Sequence, residues 1–81
     1  MNVRVLLFGP AAMAAGTDSV TVSAVGAATA GLVLAAIGEQ FPTLRPFTRG
    51  GRLAVNANYA DAATRVVAGD EVALISLVSG G

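Results

Sequence analysis

The spacing of hydrophobic and polar residues changes along the 81-residue chain, and these patterns predict its secondary structure. Val3 to Phe8 is nearly continuous in bulky apolar residues, which is typical of a strand buried on both faces. Asp18 to Ser23 alternates polar and apolar residues, which predicts a second strand with one solvent-facing side. Between them, Gly9-Pro10 ends the first strand, and Ala11 to Ala15, closed by Gly16, predicts a short helical turn.

The strongest helical pattern begins after Thr29 and ends before Pro42. Its apolar residues recur at spacings of three and four, so they share one face of a helix: Ala30, Val33, Leu34, Ile37 and Phe41. The Thr29 hydroxyl can accept a hydrogen bond from an early backbone N–H, and Pro42 cannot continue the helix. Gly31 and Gly38 each cost about 1 kcal/mol relative to alanine, so we expect packing to hold this helix.

The second half of the chain predicts strands separated by turns. We expect an exposed connector from Pro42 to Gly51, a strand from Arg52 to Asn56, a turn region between Asn58 and Asp61, and a short strand from Arg65 to Val67. After the turn at Ala68 to Asp70, the almost wholly apolar stretch from Glu71 to Val78 predicts the final strand.

One helix with one apolar face and a sheet with one face to receive it predict a two-layer α+β domain over residues 1–81, with four or five strands. The first and last strands are the most apolar, so we expect both in the centre of the sheet. The chain would then leave the centre of the fold as Ser79-Gly80-Gly81.

Composition excludes most kinds of internal chemistry. The sequence has five arginines, five acidic residues and formal net charge zero, and it has no histidine, cysteine or lysine. Histidine and cysteine supply the usual neutral-pH acid–base group, nucleophile and metal ligands, so we expect no catalytic residue, no metal site and no bound cofactor. Zero net charge argues against a nucleic-acid partner, because such binding relies on many Lys and Arg side chains that neutralise phosphates.

The few polar candidates for chemistry have structural interpretations. Asp70 is interpreted as a turn residue and Glu71 as the solvent-facing start of a strand, and adjacent residues on a strand would point to opposite faces. Tyr59 is interpreted as packing near a turn. The arginine cluster at positions 45 to 52 has two interpretations: it belongs to a solvated loop, or it binds a specific acidic surface of a partner.

Two segments imitate membrane or secretion signals. The charge-free stretch from Ser19 to Gly38 has the length of a membrane span, but it is interrupted by polar residues and glycines. Arg4, the apolar residues after it and Ala12-Met13-Ala14 resemble a short signal peptide, but Gly9-Pro10 interrupts the apolar run and cleavage would remove the best strand. We therefore expect a cytoplasmic protein without a membrane partner.

The Gly80-Gly81 ending would allow a partner enzyme to reach and activate the terminal carboxylate. Glycine-rich ends also occur in frayed termini, which is the alternative interpretation. Glycine lacks a Cβ, so such a tail can enter a narrow tunnel. The segment Val78 to Gly81 can extend roughly 13 Å, enough to bring a terminal carboxylate into another protein. A partner enzyme could adenylate that carboxylate with ATP, and a sulfur donor could displace AMP to leave a thiocarboxylate.

The sequence resembles the small, sulfur-carrying subunit of molybdopterin synthase, within the ubiquitin-like β-grasp superfamily. Four segments carry the resemblance: Val5-Leu6-Leu7-Phe8 with the short helix after it, Thr29 to Pro42, Leu53-Ala54-Val55-Asn56 with Tyr59, and Gly69-Asp70-Glu71-Val72-Ala73 leading to Val78-Ser79-Gly80-Gly81. The resemblance implies a mixed sheet packed on one main helix, with a short helix after the first strand.

The resemblance also implies a role for each part of the tail. Gly81 would be adenylated by an E1-like adenylyltransferase and converted to a thiocarboxylate with sulfur from a donor protein. The tail, from Val78 to Gly81 with Ser79 and Gly80 between them, would then enter the large synthase subunit, which supplies the catalytic groups. We expect Phe8, Ile75 and Leu77 to contribute to the partner surface. Alternatives are a carrier for thiazole or cysteine synthesis and a ubiquitin-like protein modifier.

Overall fold

The computed structural model describes residues 1–24 and 28–75. The strands are β1 (Asn2–Leu6), β2 (Ser19–Ser23), β3 (Ala28–Thr29), β4 (Arg52–Val55), β5 (Asn58–Ala60), β6 (Arg65–Val66) and β7 (Val72–Ile75). The helices are α1 (Gly9–Ala15), α2 (Ala30–Gln40) and α3 (Arg45–Arg49), and a 3₁₀ turn (Pro42–Leu44) precedes α3. Five strands form the main sheet in the order β2-β1-β7-β4-β5, while β3 and β6 form a separate pair.

The first and last strands lie next to each other in the interior of the main sheet, as predicted. β1 and β7 are parallel, with Val5 opposite Val72 and Leu6 opposite Ala73. β7 is antiparallel to β4 on its other side, and the remaining strand pairs of this sheet are antiparallel. The sheet is therefore mixed, and β7 connects its two halves.

Helix α2 is the main helix and packs its apolar face into the core. Ala30, Val33 and Ile37 are buried, as the periodicity predicts. The Thr29 hydroxyl accepts the N–H of Leu32 at 3.3 Å, which confirms the predicted N-cap. Two further N–H groups at this end, those of Ala30 and Gly31, donate to carbonyl oxygens of the segment between β5 and β6. The start of α2 is thereby fixed to the second half of the chain.

The prediction that the first strand is buried on both faces is wrong. Val3 and Val5 are buried, whereas Arg4 is exposed and Leu6 is only partly buried. Helix α2 covers one face of the sheet, so the other face remains open and the strand alternates. The strand also ends at Leu6 rather than Phe8, because Phe8 is the N-cap of α1 and Gly9 adopts a φ of 53°.

The segment from Pro42 to Gly51 is folded, which corrects the prediction of an exposed connector. Each of its two short helical elements begins at or next to a proline, where a missing N–H costs nothing. Leu44 between them is fully buried, and the Arg45 Nε donates to the carbonyl oxygen of Gly38 at 3.1 Å. A β-carbon at Gly38 would lie 3.2 Å from Thr48 Oγ1, so the glycine lets this segment pack closely on α2.

Strand β5 corrects the predicted turn between Asn58 and Asp61. The turn lies earlier, at Asn56 and Ala57, which have φ angles of 52° and 69°. Val55 and Asn58 pair on either side of it, so β4 and β5 form a hairpin with a two-residue type I′ loop. Asp61 instead begins a second turn, in which its carboxylate accepts the Ala63 N–H at 3.0 Å.

The outer strand β2 is closed at one end by a side chain from α2. The Gln40 amide group donates to the Ser23 carbonyl oxygen at 2.9 Å and accepts the Ser23 N–H at 3.0 Å. These are the two backbone groups that an additional strand would use, so Gln40 occupies the place of a neighbouring strand at this point.

Within residues 1–24 and 28–75, every helix is too short or too polar to cross a lipid bilayer.

Candidate functional site

The candidate site lies where β7 leaves the main sheet. Ile75, the last residue of β7, pairs with Arg52, the first residue of β4. Gly81 is the sixth residue after Ile75 in the sequence. The predicted tail residues Val78, Ser79, Gly80 and Gly81, and the predicted partner-surface residue Leu77, lie outside the residues that the structure describes.

Two predicted partner-surface residues, Phe8 and Ile75, are brought to the same end of the sheet. Leu6 pairs with Ala73 in the parallel β1–β7 ladder, and Phe8 and Ile75 each follow two residues later. Phe8 is 56% exposed, which is high for a large apolar side chain, while Ile75 is partly buried. Apolar surface is therefore available where β1 and β7 end.

The sheet face opposite α2, which we call the outer face, continues this surface. Its central row runs across four strands, because Tyr59 pairs with Ala54, Ala54 with Ala73 and Ala73 with Leu6. Alanines in the middle and larger side chains around them create a shallow depression of about 320 Å³, lined by Ala54, Ala57, Tyr59, Ala73 and Ile75. An apolar side chain of a partner protein could fill this depression.

Tyr59 is 65% exposed on the outer face, so the interpretation of Tyr59 as packing near a turn is wrong. The guanidinium carbon of Arg52 lies 5.7 Å from the centre of the Tyr59 ring, within the range of a cation–π contact. This contact restrains a positive charge beside Ile75. The aromatic ring and the charge together give the depression a polar rim on the β4–β5 side.

Sequence reasoning did not identify Arg52, Ala54 and Ala73 as site residues. The signal was present in the alternation of β4, where Leu53 and Val55 are buried while Arg52 and Ala54 are not. A period of two places Arg52 and Ala54 on the face opposite the core. Only the strand order, however, could show that this face adjoins the end of β7.

A network of hydrogen bonds around Asp70 fixes the start of β7. One carboxylate oxygen accepts the Val67 N–H at 2.8 Å, and the other accepts the Asn56 side-chain amide at 3.0 Å. Asn56 in turn accepts the Glu71 N–H at 3.0 Å. The Val67 N–H and, secondarily, the Asn56 amide lower the pKa of Asp70 below its ordinary value. The interpretation of Asp70 as a turn residue is confirmed, and the network joins that turn to the β4–β5 hairpin.

In ranges 1–24 and 28–75, no three acidic side chains lie close enough together to hold a metal ion. The carboxylates of Asp61 and Asp70 accept backbone N–H groups in turns, and Glu71 is exposed immediately before β7. The candidate site is an exposed, largely apolar sheet face that adjoins the end of β7.

In the comparison with protein families, residues 5–81 match the model described as the ThiS family. Comparison with curated protein sequences gives no match.

Comparison with solved structures gives several matches over nearly the whole chain. Small archaeal modifier protein 1 (SAMP1) from Haloferax volcanii is 31% identical, with 100% of both chains covered and a TM-score of 0.81. A putative molybdopterin converting factor subunit 1 from Pyrococcus furiosus is 19% identical, with 96% of this chain and 99% of that chain covered and a TM-score of 0.80.

A third match is to a complex of subunits 1 and 2 of the molybdopterin-converting factor from Helicobacter pylori. Its matched chain is 24% identical, with 100% of both chains covered and a TM-score of 0.67. These likenesses confirm the expected β-grasp fold.

Proposed function

Because the chain belongs to the ThiS family of small ubiquitin-like sulfur carriers, we propose that it carries sulfur as a thiocarboxylate at Gly81 for molybdopterin synthesis. The observation that carries the proposal is the position of β7. This strand lies in the interior of the sheet and leads in six residues to Gly80-Gly81, beside an open apolar face. The family match also extends through those last residues.

The proposed chemistry has two steps, both at the carboxyl carbon of Gly81. The carboxylate first attacks the α-phosphorus of ATP, which forms an acyl adenylate and releases pyrophosphate. A persulfide of the donor protein then attacks the carboxyl carbon through its outer sulfur, and the bond to AMP breaks. A thiol of the partner protein attacks the donor's inner sulfur, the S–S bond breaks with its electron pair on the outer sulfur, and a thiocarboxylate and a disulfide remain. The chain contains no histidine or cysteine to assist either step. An E1-like adenylyltransferase and a sulfur-donor protein would therefore supply the catalysis, and the use of ATP implies a cytoplasmic location.

We propose the large subunit of molybdopterin synthase as the acceptor, with this chain as its non-catalytic subunit. The Helicobacter pylori structure contains a subunit 1 in complex with a subunit 2, and its subunit 1 has the same fold as this chain. The outer face would dock on the partner, with Phe8 and Ile75 beside the tail and Tyr59 at the rim of the depression. The tail, as the slimmest part of the chain, would enter the partner's active site.

Intact-mass measurement tests this proposal directly. The purified chain is incubated with the cognate adenylyltransferase, ATP and a sulfur donor, and we expect a mass increase of one oxygen-to-sulfur exchange that fragmentation locates at Gly81. Removal of Gly81 should abolish the exchange. Gly50→Ala is the matched control, because a β-carbon at Gly50 meets no atom within 4 Å. An unchanged mass for the full chain, with the enzyme shown to be active on another carrier, would overturn the proposal.

A protein modifier is the second candidate, favoured by the 31% identity to SAMP1 from Haloferax volcanii. In that role the Gly81 carboxylate would form an amide bond with an amine of a target protein. Both roles begin with the same adenylate, so cells expressing a tagged chain must be examined. A ladder of tagged conjugates that depends on Gly81 would favour the modifier, whereas one free species bound to a synthase subunit would favour the carrier.

A further inference from the structure

The two outer strands of the main sheet differ in how their free edges are treated, and the edge of β2 is closed by side chains. The Gln40 amide group bonds both backbone groups of Ser23. Near the other end of β2, the Thr17 hydroxyl donates to the Ser19 carbonyl oxygen at 3.2 Å and accepts the Ser19 N–H at 3.5 Å. These backbone groups are no longer available to another strand, so β2 is protected from strand addition near both of its ends.

Within residues 1–24 and 28–75, the opposite edge, formed by β5, has no such protection. Asn58, Tyr59 and Ala60 are uncharged, and β5 contains neither a proline nor a bulge. Val55 and Asn58 close the two-residue loop as a hydrogen-bonded pair, so the next pair, Ala54 and Tyr59, is not hydrogen-bonded. The N–H and C=O groups of Tyr59 therefore point away from β4, toward the open edge.

An apolar cleft lies where β5 ends, on the face of the sheet that α2 covers. It has a volume of about 250 Å³, and its apolar lining includes Leu34 of α2, Leu53 of β4, Ala60 of β5 and Ala62. Ala60 is buried on this inner face, while Tyr59 lies on the outer face. A residue of an added strand opposite Ala60 would therefore point toward the cleft, and its neighbour opposite Tyr59 would lie beside the ring.

We propose that the β5 edge receives an extended segment of a partner protein as an additional, antiparallel strand. One residue of that segment would bond both backbone groups of Tyr59, and the next residue would place an aliphatic side chain in the cleft. In strand addition, backbone hydrogen bonds give affinity, and pockets for alternate side chains give specificity. The interaction does not involve the carboxyl terminus, so it is independent of the proposed sulfur chemistry.

A second copy of this chain fits the β5 edge less well than a different protein does. In a symmetric pair centred on Tyr59, the residue opposite Ala60 would be Asn58 of the other copy. The Asn58 side-chain amide donates to the carbonyl oxygen of Asn56 at 3.2 Å. To enter the apolar cleft, it would give up this bond and its contacts with water, which costs free energy. An aliphatic side chain has no such cost.

Designed peptides test the proposal on the full, unaltered chain. The probe is a short capped peptide that alternates valine, for positions facing the cleft, with threonine, for positions facing outward, and has a lysine at each end for solubility. In NMR titration of the isotope-labelled chain, the largest shift changes should occur at Tyr59 and around the cleft. At saturation, the Tyr59 amide hydrogen should exchange with solvent about tenfold more slowly than in the free chain.

Methylation of single peptide nitrogens identifies the backbone pairing. Methylation of the threonine opposite Tyr59 removes a donor to the Tyr59 carbonyl oxygen and should weaken binding about tenfold or more. The N–H of the neighbouring valine points away from β5, so its methylation is the matched control and should change the affinity less than about twofold.

Two variants of the chain test the cleft. Ala62→Phe should fill the cleft and weaken peptide binding about tenfold or more. Ala63→Phe is the matched control, because Ala63 is also exposed but does not line the cleft, and it should bind as the parent does. Absence of binding at millimolar peptide, equal affinity of the two methylated peptides, or shift changes centred on β2 would overturn the proposal. A dimer that depends on Tyr59 in sedimentation equilibrium would also overturn it, in favour of a second copy.

Discussion

Ala57 occupies a backbone conformation that favours glycine, so replacing it should stabilise the protein. Asn56 and Ala57 form the two-residue loop between β4 and β5, and both have positive φ angles, 52° and 69°. Type I′ loops of this kind prefer glycine at the second position because a β-carbon is crowded there. Ala57 is also exposed, so little buried surface is lost with its methyl group.

The magnitude follows from two opposing effects. A left-handed conformation costs a residue with a β-carbon roughly 1–2 kcal/mol. Glycine removes that cost, but its greater freedom in the unfolded chain opposes folding by about 0.4–1 kcal/mol. Ala57→Gly should therefore raise the free energy of unfolding by about 0.5–1 kcal/mol. For a domain of this size, that change corresponds to an increase in Tm of roughly 2–8 °C.

Thermal and urea unfolding followed by circular dichroism would measure the change. Ala35→Gly is the matched control, because Ala35 is exposed within α2 and the same substitution there should destabilise by about 1 kcal/mol. If Ala57→Gly lowers the free energy of unfolding, as Ala35→Gly should, the assignment of a strained left-handed alanine is refuted.

Three further predictions concern the network, the sheet edge and the outer face. The folded state lowers the pKa of Asp70, so its ionised carboxylate stabilises the protein above the ordinary aspartate pKa, and this stabilisation is lost as the pH falls through the folded-state pKa. When the free energy of unfolding is measured against pH in the acid range, Asp70→Asn should therefore lose less stability than the parent does. Gln40→Glu removes the donor to the Ser23 carbonyl oxygen and should destabilise by about 1 kcal/mol in urea unfolding, whereas an unchanged midpoint would show that this bond contributes nothing. Ala73→Arg fills the depression from its floor and should weaken binding to the large synthase subunit by about tenfold or more in calorimetry, with Tm close to that of the parent; undiminished affinity would exclude the outer face as the docking surface.

The sequence patterns predicted the structure correctly where an element's conformation and burial depend mainly on its own residues. The stripe of α2 and the cap at Thr29 are local properties, and both match the structure. The alternation of β2 predicted a strand with one exposed side, which its burial confirms. The central pairing of the first and last strands followed from their shared apolarity, because the least polar strands gain most from interior positions.

The errors arose where neighbours in space decide the structure. Pro42 and Pro46 indicated a connector, yet each lies in the first turn of a short helical element, and Leu44 beside them is buried. The hairpin loop at Asn56 and Ala57 was missed because it lacks the glycine that usually marks such loops. The Arg52–Tyr59 contact could not be predicted, since it depends on the register between β4 and β5.

The interior position of β7 also has a consequence for protein synthesis. Without this strand, β2 and β1 would form one pair and β4 and β5 another, and no strand of the main sheet would join them. The β1–β7 ladder links residues such as Val5 and Val72, nearly the full described length apart, and contacts of this kind form late and slowly. We therefore expect the nascent chain to complete its sheet only after β7 has left the ribosome. Truncated products would lack both the joined sheet and the Gly80-Gly81 ending that the proposed chemistry requires.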